Sequence, residues 1–297
     1  MSQLIWNGLF VGSFYALIAI GYTMVYGIIK LLNFAHGDIY MLGAFIGFVA
    51  LGSFGSIPGS MSLIVLLIVM LLSMVLTGFA GVLIERVAYR PLRSAPRLAV
   101  LITAVGVSFS LEYGVSAIFG PNPRVFPVRL SNDGANLLGA HVSYSQLMLM
   151  LIAILLMIGL NAFVQGTSTG RAMRSIALDT KASLLMGINV DSVITRTFFI
   201  GSALAGAAGV MAGAYYGNIN FLMGFIIGLK AFTAAVIGGI GNIRGAMLGG
   251  LLLGLLEAFG SEWFGGQWRD VFSFSVLILI LTLRPTGILG GRVTERV

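Results

Sequence analysis

Cysteine is absent from the 297 residues, which excludes disulfides and thiolate metal sites, and the only histidines, His36 and His141, are too few for a histidine zinc site. Charge is scarce too: Asp, Glu, Lys and Arg make up 9% of the chain, against about 25% in an average soluble domain. No Gly-x-x-x-x-Gly-Lys-Ser/Thr run occurs, so the chain does not bind ATP in the P-loop manner. The glycine-rich run from Val236 to Gly245 lacks the strand-then-helix setting of a dinucleotide loop. Nor does any His, Cys or Asp/Glu cluster mark a membrane enzyme, and nothing supplies the selectivity-filter ring of a channel. What fills the chain instead is apolar sequence, 58% hydrophobic with a mean hydropathy of +1.01, too little polar surface to cover a soluble fold. The fold class is therefore all-α, a polytopic membrane helix bundle forming a single transmembrane domain over residues 1–297, in contact with the lipid bilayer.

Eight segments are long enough for the ~20 residues that cross a bilayer. They are Leu4 to Ile29, Met61 to Ile84, Leu98 to Phe119, Tyr144 to Val164, Val193 to Tyr216, Phe221 to Ile240, and, with their flanks, Ala246 to Phe259 and Val271 to Leu283. Ile39 to Gly52 is a ninth and short candidate. Its rise of about 21 Å falls below the ~30 Å hydrocarbon core, so it must borrow from Asn33 to Asp38 or stop short. About eight or nine spans are expected, within a range of eight to ten. The first reads as a retained span, because its apolar run exceeds a signal-peptide core and no basic region precedes it.

Basic residues orient the bundle. Arg86, Arg90, Arg93 and Arg97 crowd one connection, and alternation adds Arg171, Arg174, Lys181, Arg244, Arg284, Arg292 and Arg296 to the same side, against Arg124, Arg129 and Arg269 opposite. The richer side is the cytoplasm by the positive-inside rule, which leaves the N-terminus and a periplasmic loop at residues 120–143 outside if the short ninth segment crosses. The same rule accounts for the net charge of +7 without nucleic acid, since the basic residues follow membrane edges rather than an aromatic-laced patch.

One stretch is polar. From Gly170 to Asp191, N-cap oxygens at Thr167, Ser168 and Thr169 precede an apolar stripe of Met173, Ile176, Ala177, Thr180, Leu184 and Gly187, while Arg171, Arg174, Asp179 and Lys181 keep other faces wet. This predicts one short surface helix near residues 170–187, ended by a left-handed Gly187, with Asp191 capping the next span. Glu85 and Arg86 are expected to cap a helix end at their own connection.

A second feature is an internal echo. Tyr26-Gly27 leads into Asn33, Phe34, Ala35, His36 and Gly37, and Tyr216-Gly217 leads into Asn220, Phe221, Leu222, Met223 and Gly224. Two Asn-Phe-x-x-Gly breaks at corresponding points suggest inverted repeats with discontinuous helices whose free ends line a solute route, though a glycine-rich chain also produces such an echo by chance. The glycines spaced by four, such as Gly250 and Gly254 or Gly209 and Gly213, read as close helix packing. Glu112, Glu257 and Lys230 are the clearest ionisable residues inside spans, marking either a solute pathway or structural ion pairs. Lys30, His36 and Asp38 flank the first echo motif as interfacial anchors.

Five segments in order resemble the LivH-type permease subunit of bacterial branched-chain amino acid ABC importers. They are Asn33 to Gly43, Glu85 to Leu98, the polar stretch from Gly170 to Val190, Lys230 to Asn242, and Arg284 to Leu289. The resemblance implies a multi-pass bacterial inner-membrane subunit that binds no cofactor itself. It would pair with a second permease subunit, a homologue or a second copy, with two cytoplasmic ATPases carrying ATP and Mg, and with a periplasmic substrate-binding protein. It also implies a cytoplasmic coupling helix, often Glu-Ala-Ala-x-x-x-Gly; here Lys181, Ala182, Ser183 and Gly187 match with lysine and serine substituted at the first and third positions. Arg171, Arg174, Asp179 and Lys181 would register that contact. Solute is expected near Asn33, Phe34, His36, Gly37, Asn220, Phe221, Gly224 and Lys230, moved by alternating access. A secondary transporter of amino acids or related small solutes is the alternative, though it has less need of a docking helix.

Overall fold

The computed structural model describes residues 1–53, 62–93, 95–128, 133–137 and 139–290. Arg129, Arg292 and Arg296, the side chain of Arg97 and parts of the 120–143 loop lie outside the described residues.

Eleven α-helices are described: α1 (Ser2–Ile29), α2 (His36–Ser53), α3 (Ser62–Ile84), α4 (Arg97–Phe119), α5 (Tyr144–Gly166), α6 (Ser168–Leu178), α7 (Thr180–Leu185), α8 (Val190–Tyr216), α9 (Met223–Gly238), α10 (Ile243–Phe264) and α11 (Arg269–Leu283). Seven helical stretches have the length and hydropathy to cross a membrane: α1, α3 with its extension, α4, α5, α8, α10 and α11 with the turn before it. Of the four described helices outside this set, α2 and α9 are the two that start within the echo motifs. The expected span at Phe221 to Ile240 is the 16-residue α9, about 24 Å long, and the doubtful ninth segment gains His36 to Asp38 and reaches 18 residues in α2, about 27 Å.

Burial sorts the helices into an inner and an outer set. In the most apolar windows of α1 and α8, 94% and 89% of residues are buried, against 28% for α4 and α5 and 6% for α11. Helices apolar all round belong either inside a bundle or against lipid. Here α1 and α8 take the inside and α4, α5 and α11 the rim.

The inner helices approach closely because small residues line their contacts. A Cβ on Gly12 would lie 2.9 Å from the Gly250 carbonyl oxygen and from Leu251 Cα, and one on Gly8 would lie 2.9 Å from Leu255 Cα. Gly209 abuts Tyr40 and Ala44 on α2, and Gly249 abuts Ala234 on α9. The four-residue glycine spacing thus serves packing, where dispersion contacts replace the hydrophobic drive that lipid does not supply. An ion network joins α1, α9 and α10 to the rim helix α11: Lys230 Nζ lies 2.8 Å from the buried Glu257 Oε1 and 2.6 Å from Oδ1 of the half-exposed Asp270, and the Tyr15 hydroxyl donates to Glu257 Oε2 at 2.8 Å.

Contacts also define the two ends of the bundle. Gln3 bonds His141 and Trp6 bonds Gln146, while β1 (Arg124–Val125) pairs antiparallel with β4 (Asn218–Ile219) beside the hairpin of β2 (Gly134–Leu137) and β3 (Ala140–Ser143). The start of α1, the 120–143 loop and the end of α8 therefore share one end. At the other end Ile28 to Leu31, Arg93, Ile176, Thr180 and Val190 line one groove, and Ile288 bonds the Ile237 carbonyl. The basic connections gather there, on the side where α1 finishes, so the position of the N-terminus no longer depends on whether α2 crosses.

Two local expectations are corrected. Glu85 does not cap a helix end: α3 runs on through a π-helical turn, Glu85–Tyr89, and a 3₁₀ turn, Arg90–Leu92, and Glu85 is fully buried against Arg93 and Thr195. Nor does Asp191 cap α8. Asn189 does so, accepting from the Ser192 N–H at 3.0 Å, while Asp191 in the first turn receives Arg90 and Arg93. An asparagine two residues earlier is better placed to reach the free N–H groups of the first turn.

Candidate functional site

The two echo motifs meet. Gly37, in the first turn of α2, faces Gly224 and Gly228 of α9, and a Cβ there would lie 2.6 Å from Gly228 Cα. His36 packs between Gly21 of α1 and Gly201 of α8, with the Tyr22 ring centroid 4.8 Å away. Gly21 is eight residues before the end of α1 and Gly201 eleven after the start of α8, so the break lies about 12 to 17 Å inside the basic end. The N-termini of two short helices therefore lie side by side within the bundle. Only glycine at positions 37, 224 and 228 lets the backbones come this close.

The two asparagines start their helices alike through the backbone, the Asn33 carbonyl accepting from the His36 N–H at 3.1 Å and the Asn220 carbonyl from the Met223 N–H at 3.3 Å, but their side chains differ. The Asn33 Oδ1 accepts from the buried Tyr89 hydroxyl at 2.7 Å. Asn220 folds back on itself, its Oδ1 accepting from the Leu222 N–H at 3.0 Å. Phe34 lies against Phe232, with ring centroids 6.2 Å apart, and Phe221 against Tyr113 at 6.3 Å. Lys230, less than two turns beyond Gly224 on α9, is held by Glu257 and Asp270 rather than facing the paired N-termini with a free ammonium.

Three residues converge here that sequence reasoning left apart. Asp38 receives the Ser108 hydroxyl of α4, and Glu112, one turn further along α4, interacts with the same carboxylate. Asp38 is fully buried and Glu112 is 2% exposed, so Asp38 is no interfacial anchor. The signal was present: Ser108 and Glu112 stand at i and i+4, the spacing that puts two side chains on one helix face.

At the basic end, the expected single surface helix is two. Asp179, with φ −154°, ends α6 and caps α7, its Oδ1 accepting from the Ala182 N–H at 3.0 Å. Asp179 thus closes a break instead of wetting a helix face. Thr167 caps α6 through the Gly170 N–H at 3.0 Å, and Gly187 turns left-handed at φ +79°, both as the sequence implies. The apolar stripe holds in α6, where Met173 and Ile176 are buried, and fails in α7, where Ser183 points in and Leu184 points out. The change of axis leaves Leu178, Leu185 and Met186 at least 82% exposed, beside exposed Arg171, Lys181 and Ala182. Arg174 turns inward onto the Val164 carbonyl. Arg90, Arg93 and Asp191 fasten this region to the extension of α3, a contact nearly a hundred residues apart that no local pattern announces.

Known proteins resemble this sequence. The family described as "Branched-chain amino acid transport system / permease component" matches residues 4–281. The chain is 47% identical to the high-affinity branched-chain amino acid transport system permease protein BraD of Pseudomonas aeruginosa, over 100% of this chain and 98% of that one. It is 43% identical to the permease protein LivH of the corresponding system in Escherichia coli, over 99% and 97% of the two chains. A probable branched-chain amino acid transport permease of Methanocaldococcus jannaschii is 28% identical over 92% of this chain and 88% of its own. No solved structure matches.

Proposed function

The chain belongs to the family of permease components of branched-chain amino acid transport systems, and from that premise we propose that it forms half of the membrane pore of an ABC importer for leucine, isoleucine, valine and similar solutes. It is a transport subunit and not an enzyme. The identity that runs over the whole chain at 47% is the observation that carries this reading. In it, the protein lies in the bacterial inner membrane with its basic end in the cytoplasm. It pairs there with a second permease, two ATPases that carry ATP and Mg, and a periplasmic binding protein that selects the solute.

The α6–α7 elbow is the docking surface for one ATPase. Leu178, Leu185 and Met186 are large apolar groups projecting from the basic end, and burying such groups in a partner's groove yields about 1.5–3 kcal/mol each. Arg171, Lys181 and Ala182 rim the contact, Ser183 and Asp179 fix the shape of α7, and Arg174 holds α6 to the end of α5. ATP-driven closure displaces the elbow, and the turn at Gly187 passes that movement to α8, against which α2 packs. Solute then passes the paired N-termini at Asn33, Phe34, His36, Gly37, Asn220, Phe221 and Gly224, with Lys230 further along α9. Free N–H groups at a helix start suit the carboxylate of a zwitterion.

The test is purification through a tag on this chain, followed by reconstitution. Two ATP-binding subunits should co-purify, and uptake should require ATP and the binding protein. Uptake by vesicles holding this chain alone would make it a secondary transporter and overturn the proposal.

A further inference from the structure

Two acids at the paired N-termini lack a cation. The other carboxylates buried to the same degree are matched, Glu85 by Arg93 and Glu257 by Lys230. Asp38 and Glu112 form no ion pair among the described residues. An unmatched charge in such a place is costly and is retained for a partner, within the chain or from outside.

Their geometry points outside the chain. Asp38 is the third residue of α2, and one of its oxygens accepts the Ser108 hydroxyl. The other, Oδ1, and Oε1 of Glu112 are shielded from solvent and have no hydrogen-bond donor. Gly224, at the start of α9, is pressed against Asp38, so that a Cβ on it would lie 2.8 Å from Asp38 Cα. Two acceptor oxygens in want of a donor thus adjoin the crossing of α2 and α9. The cover over them is thin: α4 buries Ala104, Ser108, Glu112 and Val115 on one stripe and exposes Val105, Phe109 and Tyr113 beside it. Ser108 and Glu112 ride on this rim helix, so a small shift of α4 would widen the space between Glu112 and Asp38 without unpacking α1 or α8.

We propose that Asp38 and Glu112 receive the α-ammonium group of the transported amino acid, a reading that rests on the solute route proposed above. An ammonium brings three N–H donors and one positive charge, so it supplies both missing hydrogen bonds and the missing countercharge together. The solute carboxylate is then left for the positive dipole ends of the adjoining helix starts, and the apolar side chain needs no polar partner.

The rival occupant is a proton held permanently between the two oxygens, and amide substitutions separate the two. Asp38→Asn and Glu112→Gln keep the size of the side chain, remove one negative charge and add an N–H donor that takes the place of such a proton. If the pair serves only the fold, both variants transport at wild-type rates. If it binds the ammonium, uptake by the complete transporter in proteoliposomes with loaded binding protein falls about tenfold or more, the worth of one charge-assisted hydrogen bond, while complex yield and basal ATPase activity hold. Wild-type rates in both variants overturn the proposal. Should Asp38→Asn fail to assemble, Glu112→Gln decides alone by the same criterion. Wild-type uptake in parallel vesicles tests the importer reading separately.

Discussion

Lys230 shows how one residue type in one place admits two readings that only its neighbours separate. A lysine inside a span is costly whether it serves solute or fold. Its 2.8 and 2.6 Å contacts with Glu257 and Asp270 make it the buried cation of a four-helix ion network, in which Tyr15 and Ser273 also donate to Glu257 and the half-exposed Arg269 lies 3.8 Å from it. Removing one partner of a buried pair leaves the other charge uncompensated, which costs about 3–5 kcal/mol, whereas removing both is far milder. Lys230→Met should therefore lower the thermal unfolding midpoint of the detergent-solubilised protein markedly. Lys230→Met combined with Glu257→Gln should recover most of the loss, and equal losses in both would show that the destabilisation does not come from an uncompensated Glu257.

At the scale of elements, the junction of α6 and α7 carries the most consequence. Asp-Thr-Lys-Ala at 179–182 is an N-cap signal, and periodicity alone hides it because Thr180 and Leu184 continue the stripe of α6 in register. The capping hydrogen bond breaks the helix, turns Ser183 inward and throws Leu185 and Met186 outward. Asp179→Ala should cost about 1 kcal/mol of local stability and loosen α7, seen as faster amide exchange there. Leu185→Asp, at a side chain that is 89% exposed, should leave the permease folded yet abolish co-purification of the ATPases. Retention of the ATPases by Leu185→Asp would place their docking surface elsewhere. The tie from Arg90 and Arg93 to Asp191 is half exposed and contributes little stability, so its part is to keep the start of α8 and the extension of α3 moving together.

For the whole molecule, the arrangement of ends is directly measurable. With no native cysteine, single substitutions report sidedness without background. In intact right-side-out membranes, Ser2→Cys should react with an impermeant maleimide from outside, and Lys181→Cys only after the cytoplasmic face is opened. The reverse pattern would invert the bundle and remove the ATPase docking proposal with it.

Hydropathy is a sum over about twenty neighbouring residues, so the seven long spans were legible in the sequence alone, as were the caps at Thr167 and Gly187, which act within one turn. The echo motifs were legible as breaks, because a helix start leaves free N–H groups wherever it lies. That the two breaks touch, that Asp38 meets Ser108 and Glu112 seventy residues on, and that Lys230 finds Glu257 were decided only by the tertiary structure. The reason is physical: a local pattern fixes which face of a helix is polar, but which helix that face meets depends on how glycine-lined surfaces pack, a property of the whole bundle.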